Sequence, residues 1–128
     1  MTKNDNYGNG TGFFRAMKAC KCSILGLKAA FVNESAFRQE LALALFFLPY
    51  GIWIGESATQ KMLLTSLVIL VLIVELVNSA VEAIVDRIGL EHNELSGRAK
   101  DLGSAAVMLS LVLTGGCFAY VTFLRYFS

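Results

Sequence analysis

Four polar residues interrupt an apolar helical pattern. Glu75, Asn78, Glu82 and Asp86 recur every three or four positions, so on an α-helix they share one face over about 16 Å of axial rise. Glu75 directly follows the apolar run Leu67 to Val74, and a carboxylate at the centre of a bilayer costs about 3 kcal/mol or more unless protein shelters it. Two carboxylates at the spacing of Glu75 and Glu82 can accept a proton at one depth and hold a cation at another. A plainer role stands beside this one: a polar seam that fixes helix packing through the Asn78 amide, with Ser79 next to it.

Glu34 supplies a third acidic group, followed by Arg38 and Glu40. Arg38 stands four positions after Glu34, the spacing of an ordinary helix ion pair. Magnesium takes oxygen ligands and commonly uses one or two carboxylates plus substrate phosphates rather than a complete protein cage, which suits Glu34 and Glu82. Arg15, Arg98 and Lys100 can then counter phosphate charge while an acidic group takes the proton of an attacking hydroxyl. No Walker sequence, kinase glycine loop or zinc metalloprotease motif is present. Composition and spacing alone point to an intramembrane or interfacial enzyme, with an ion-coupled transporter as the competing class.

The elements that must position these groups follow from composition. The 128 residues are 55% apolar and 16% charged, against about 25% charged in a usual soluble domain. The formal charge of +1 gives no general case for nucleic acid. Six of the 11 basic residues lie in the first 38 positions. From Gly12 onward Phe13, Met17, Cys20, Ile24, Leu27 and Phe31 share a helical face, with Arg15 and Lys18 turned away and Lys21 and Lys28 at the border, as on an amphipathic helix at a membrane surface. The 15 apolar or small residues Leu41 to Gly55, extended back to about Ala36, form a first span in which Pro49 is expected to introduce a kink. A second runs from Met62 to Arg87, and a third is the uncharged stretch Leu102 to Leu124.

The expected architecture is an all-α integral membrane protein. It has a flexible tail over 1–11, a surface helix over about 12–32 and transmembrane helices over about 36–55, 62–87 and 102–124. Polar loops are expected at Glu56 to Lys61 and Gly89 to Asp101, with Asp101 as the N-cap of the last helix. Basic residues before the first span, and Arg87, Arg98 and Lys100 in the second loop, put both regions on the cytoplasmic side and the C-terminus on the opposite side. The polar N-terminus has no apolar core of a removable signal peptide. Cys20, Cys22 and Cys117 suggest no disulfide framework, and Cys20-Lys21-Cys22 has no nearby partner to complete a metal site.

Four stretches carry a family resemblance: GFFRAMKA near the N-terminus, NESAFRQE at 33–40, VELVNSAVEAIVDRIG at 74–89 and ELSGRAKDLGSAAV at 94–107. Together they resemble the small prokaryotic integral-membrane diacylglycerol kinases over roughly 12–124. The resemblance implies ATP- and magnesium-dependent phosphorylation of the free hydroxyl of diacylglycerol, giving phosphatidic acid and ADP, in a bacterial inner membrane. It also implies a homotrimer with shared active sites, in which nine membrane helices can bury a carboxylate that three cannot. Carried onto this chain, it makes Glu75 the catalytic base, close to Asn78, and Glu34 and Glu82 the metal-binding carboxylates. Asp86, Lys100 and Asp101 become nucleotide-site residues, with Arg15 and Gly97 helping to hold phosphates and Ser23 a further contributor there, and Glu40 and Arg98 become substrate-binding residues. His92-Asn93 departs from the Tyr-His pair common in the family, and His92 is read as a solvated loop residue. Undecaprenol kinase is the nearest rival, since spacing does not fix the lipid acceptor.

Overall fold

The computed structural model describes residues 11–128; the tail expected at 1–11 lies, apart from Thr11, outside the described residues. Four α-helices follow in order: α1 Phe13–Asn33, α2 Ser35–Ile54, α3 Ala58–Ile88 and α4 Glu94–Phe127. The described residues are therefore all-α, and each helix contains one of the apolar stretches expected from the sequence.

Short connections force neighbouring helices together. A single residue, Glu34, separates α1 from α2, with extended backbone angles that end one helix and start the next. Between α2 and α3 the Ser57 hydroxyl accepts from the Gln60 amide at 3.1 Å, and the Gln60 side chain accepts from the Glu56 amide at 2.8 Å. The first bond satisfies a donor that the opening turn of α3 leaves free, and the second ties down the residue before the N-cap. Together they start α3 at Ala58, ahead of the expected boundary at 62 and inside the expected Glu56 to Lys61 loop.

The second connection is shorter than expected. Asn93, not Asp101, is the N-cap of α4: its side chain accepts from the amides of Leu95 at 2.9 Å and Ser96 at 3.2 Å. Asp101 lies inside the helix. Glu94 to Asp101 read as loop because the segment is polar, but it forms the first two turns of α4 ahead of the uncharged stretch. Pro49 does not break α2, which runs on through it to Ile54.

The best-packed region lies at the α2–α3 hairpin end. Ala44, Ile54, Leu64, Val68, Phe118 and Val121 form the core there, and Ile54 and Leu64 are fully buried. Gly51 lets three helices meet: a Cβ at this position would stand 3.2 Å from Leu64 Cβ and 3.3 Å from the Phe118 ring. Tyr50 and Thr122 share a hydroxyl hydrogen bond of 3.0 Å. Arg125 donates to the carbonyls of Trp53 and Ile54 and lies 5.4 Å from the Trp53 ring, closing the end of α2. Leu64→Ala is expected to destabilise this hairpin by about 2 kcal/mol through the cavity it leaves, with lipid rather than water as the reference. Reversible unfolding in mixed detergent micelles measures the loss.

Among the described residues, α3 and α4 are the two helices long and apolar enough to cross a membrane. Only 28% and 17% of their most apolar windows is buried, far too little for core helices of a water-soluble protein. Ile69, Ile73 and Val77 on α3 and Met108, Leu109 and Val112 on α4 face outward. With Arg38, Gln39 and Glu40 near its start, α2 is less continuously apolar. The α1 face read as amphipathic, including Phe13, Met17, Ile24, Leu27 and Phe31, is uncovered throughout. These outward apolar faces suit an integral membrane protein.

Candidate functional site

Helix α3 carries the expected stripe as one continuous feature. Glu75 is 4% exposed and Asn78 8% exposed, in the middle of the helix, whereas Glu82 is half-buried and Asp86 reaches the surface. The stripe thus runs from protected to open surroundings. Ser79, one turn beyond Glu75, donates its hydroxyl to Glu75 Oε1 at 3.5 Å. That long bond is the only hydrogen bond made by the Glu75 carboxylate among the described residues.

Asn78 faces α4 at Gly103. A Cβ at 103 would overlap Asn78 Oδ1 and stand 3.2 Å from its Cγ, so the amide occupies the space that a larger residue would need. Asn78 Oδ1 is nevertheless buried without a hydrogen-bond partner, a costly state for an amide oxygen. Gly103 was not singled out by the sequence reading. Its only signal was its place in the small-residue run Gly103 to Ala106 at the start of the uncharged stretch.

Glu34 reaches the stripe from the α1–α2 elbow. It is half-buried and lines an open cleft of about 810 Å³ between α1 and α3, together with Ser23, Asn33, Ser79 and Ala83. The charges of Glu34 and Glu82 both act on Glu75, and that of Glu75 acts on Glu40. Four acidic side chains therefore belong to one electrostatic neighbourhood. Glu40 also edges an apolar crevice of about 130 Å³ lined by Leu43, Phe47, Val71 and Leu111, where its Oε2 is buried without a partner.

The Glu34–Arg38 pair that the spacing would allow on one helix does not form. Glu34 is the break between helices, so the two side chains are not on a common helical face, and Arg38 Nη1 donates instead to the carbonyls of Phe31 at 2.8 Å and Val32 at 3.0 Å. Lys100 Nζ and Asp86 Oδ1, at 2.7 Å, make the one ion pair among the described residues. It ties the charged end of α3 to the first turns of α4. Lys100 precedes the uncharged stretch at 102–124, and its pKa is raised, first by the hydrogen bond to Asp86 and further by the charges of Asp86 and Glu82.

The other nominated residues stay apart. Arg15, Gly97, Arg98 and Asp101 are exposed, and nothing in the fold calls for glycine at 97, where a Cβ would meet no atom within 4 Å. Ser23 lines the cleft but turns its hydroxyl to the Ala19 carbonyl at 2.9 Å. Among the described residues no three His, Cys, Asp or Glu side chains form a group able to hold a metal ion. Glu34 and Glu82 do supply hard oxygen donors, which fits an ion that completes its shell with water and phosphate.

The family model for prokaryotic diacylglycerol kinase matches residues 21–122, which include the cleft, the stripe and the Asp86–Lys100 pair but not Arg15. The chain is 52% identical to the diacylglycerol kinase of Escherichia coli K12 over 105 residues, covering 82% of this chain and 86% of that protein. The corresponding figures are 50% over 105 residues for the Haemophilus influenzae diacylglycerol kinase, covering 82% and 89%. For that of Pseudomonas aeruginosa they are 43% over 103 residues, covering 80% and 84%. Since the match runs from the middle of α1 through the whole acidic stripe and most of α4, the chain belongs to the prokaryotic diacylglycerol kinase family.

Proposed function

We propose that this protein transfers the γ-phosphoryl group of ATP to the free hydroxyl of diacylglycerol, giving phosphatidic acid and ADP at the cytoplasmic surface of a bacterial inner membrane. The observation that carries the mechanism is the burial of Glu75 with a single long hydrogen bond, from Ser79, which itself lines the cleft between α1 and α3. A carboxylate so placed retains acceptor capacity for a lipid hydroxyl. As the bond from the lipid oxygen to the γ-phosphorus forms and that to the β-bridging oxygen breaks, Glu75 takes the hydroxyl proton. Asn78 lies beside the reacting hydroxyl and orients it.

Asp86, Lys100 and Asp101 bind the nucleotide, Lys100 as a point charge toward phosphate held in place by Asp86. Arg15, Arg98, Gly97 and Ser23 border the phosphates, and Glu40 lies on the lipid side. Glu34 and Glu82 are the residues that would hold Mg2+, which when bound neutralises charge on the transferring phosphates. Glu34→Gln and Glu82→Gln are each expected to raise the magnesium concentration for half-maximal rate by about ten-fold or more. A magnesium titration at fixed ATP checks this.

Three spans, α2 to α4, are the reading favoured by the basic N-terminal region and the basic second connection, which put both on the cytoplasmic side. A homotrimer with shared sites is supported by the outward apolar faces of α3 and α4. The test of function is transfer of label from γ-labelled ATP in bicelles, with diacylglycerol and undecaprenol as separate acceptors. Labelled phosphatidic acid is expected. Labelling of undecaprenol alone replaces the acceptor, and no labelled lipid in either arm overturns the kinase reading in favour of an ion-coupled carrier.

A further inference from the structure

The α1–α2 elbow poses a hydrogen-bonding problem. In an uninterrupted helix the carbonyls of Phe31 and Val32 would accept from the amides of residues 35 and 36, but the break at Glu34 removes those donors. Arg38 Nη1 takes their place, donating to both carbonyls across the break at 2.8 and 3.0 Å. The turn is otherwise held by the Glu34 amide on the Ala30 carbonyl at 2.9 Å and the Arg38 amide on the Glu34 carbonyl at 3.2 Å. Glu34 is thus bracketed on both sides while its own side chain remains free to line the cleft with Ser79 and Ala83.

From this geometry we infer that Arg38 is a positioning residue for Glu34: by closing the end of α1 it fixes the one-residue elbow that presents the Glu34 carboxylate to α3. The inference rests on the metal-binding role proposed for Glu34. Arg38 acts through the backbone and has no need to touch metal or phosphate. A cationic side chain is suited to the task, because helix C-terminal carbonyls carry partial negative charge.

The experiment uses the full chain in bicelles and reads two quantities. Without ATP or metal, amide exchange at Asn33 and Glu34 is expected to accelerate about ten-fold in Arg38→Gln, since the last turn of α1 loses its closing bonds. In the assay, the magnesium concentration for half-maximal rate rises several-fold while the KM for ATP at saturating magnesium is unchanged. Arg38→Lys, which keeps a charged donor, recovers most of both. Adding Arg38→Gln to Glu34→Gln produces no further magnesium shift.

Unchanged exchange at 33–34 overturns the inference. So does a raised KM for ATP at saturating magnesium without a magnesium shift, which would make Arg38 a phosphate contact. Glu34→Gln alone separates the two possible failures. A normal magnesium response in that variant removes the metal role of Glu34 and with it the functional part of the inference, while amide exchange in Arg38→Gln still judges the structural part.

Discussion

Glu75→Gln is expected to lower kcat by about three orders of magnitude while membrane insertion and assembly stay intact. The substitution keeps shape and volume but removes the proton acceptor, and general-base contributions typically lie between about 10² and 10⁴ in rate. Ser79 can still donate to the glutamine carbonyl oxygen, so the local hydrogen bond survives. KM for ATP should hardly move, because the residues proposed for the nucleotide lie toward the charged end of the stripe. Stability should move in the opposite direction to activity. Glu75 is 4% exposed and its neighbourhood includes Glu34, Glu40 and Glu82, so replacing a buried acid by a neutral amide relieves desolvation and repulsion. Unfolding of the variant should require about 1 kcal/mol more than the parent. Near-normal turnover in a folded Glu75→Gln variant would remove Glu75 as base, whereas lost turnover with lost stability would point to a packing role.

The stripe was legible because helical periodicity is a sequence property: residues three and four apart must share a face wherever α3 forms, and Glu75 in an apolar run needs protection whatever its neighbours are. Helices form over the periodic stretches of α1, α2 and α3 for the same reason, although α3 begins at Ala58, ahead of the expected 62. The start of α4 was less legible. Hydropathy separates apolar from polar, not helix from loop, so Glu94 to Asp101 looked like a connection although its backbone continues the helix. Asn93 and Asp101 are both good N-cap types, and only the coordinates show which side chain accepts the free amides.

Arg38 illustrates a different limit. Its spacing from Glu34 fits an ion pair only if both occupy one helix, and a one-residue elbow is not written in local periodicity. Nor does the sequence of one chain settle how many helices cross the membrane. Arg38, Gln39 and Glu40 make the first turns of α2 polar, leaving a short apolar remainder. The contact between Asn78 and Gly103 joins positions far apart in sequence, where only tertiary packing can bring them together.

Gly103→Ala tests that contact and should cost both stability and turnover. A methyl group at 103 must displace the Asn78 amide, whose Oδ1 it would overlap and whose Cγ and Cβ lie at 3.2 and 3.8 Å. Overpacking at such a contact costs about 2 kcal/mol, partly offset by about 1 kcal/mol from replacing glycine in a helix. The net loss expected is about 1 kcal/mol, with kcat reduced about 30-fold if the amide orients the lipid hydroxyl as proposed. Gly97→Ala on the same helix provides the contrast: its Cβ would meet nothing within 4 Å, so the fold should gain about 0.5–1 kcal/mol. If phosphates approach Gly97 as proposed, that more stable variant should still show a raised KM for ATP. Truncating the obstruction completes the comparison. Asn78→Ala combined with Gly103→Ala should recover the stability lost by Gly103→Ala, since the methyl then has space, but not the turnover, since the orienting amide is absent. Unfolding and single-turnover transfer measured on the same preparations separate the two effects. Recovery of both would leave Asn78 as a packing element without a part in the reaction.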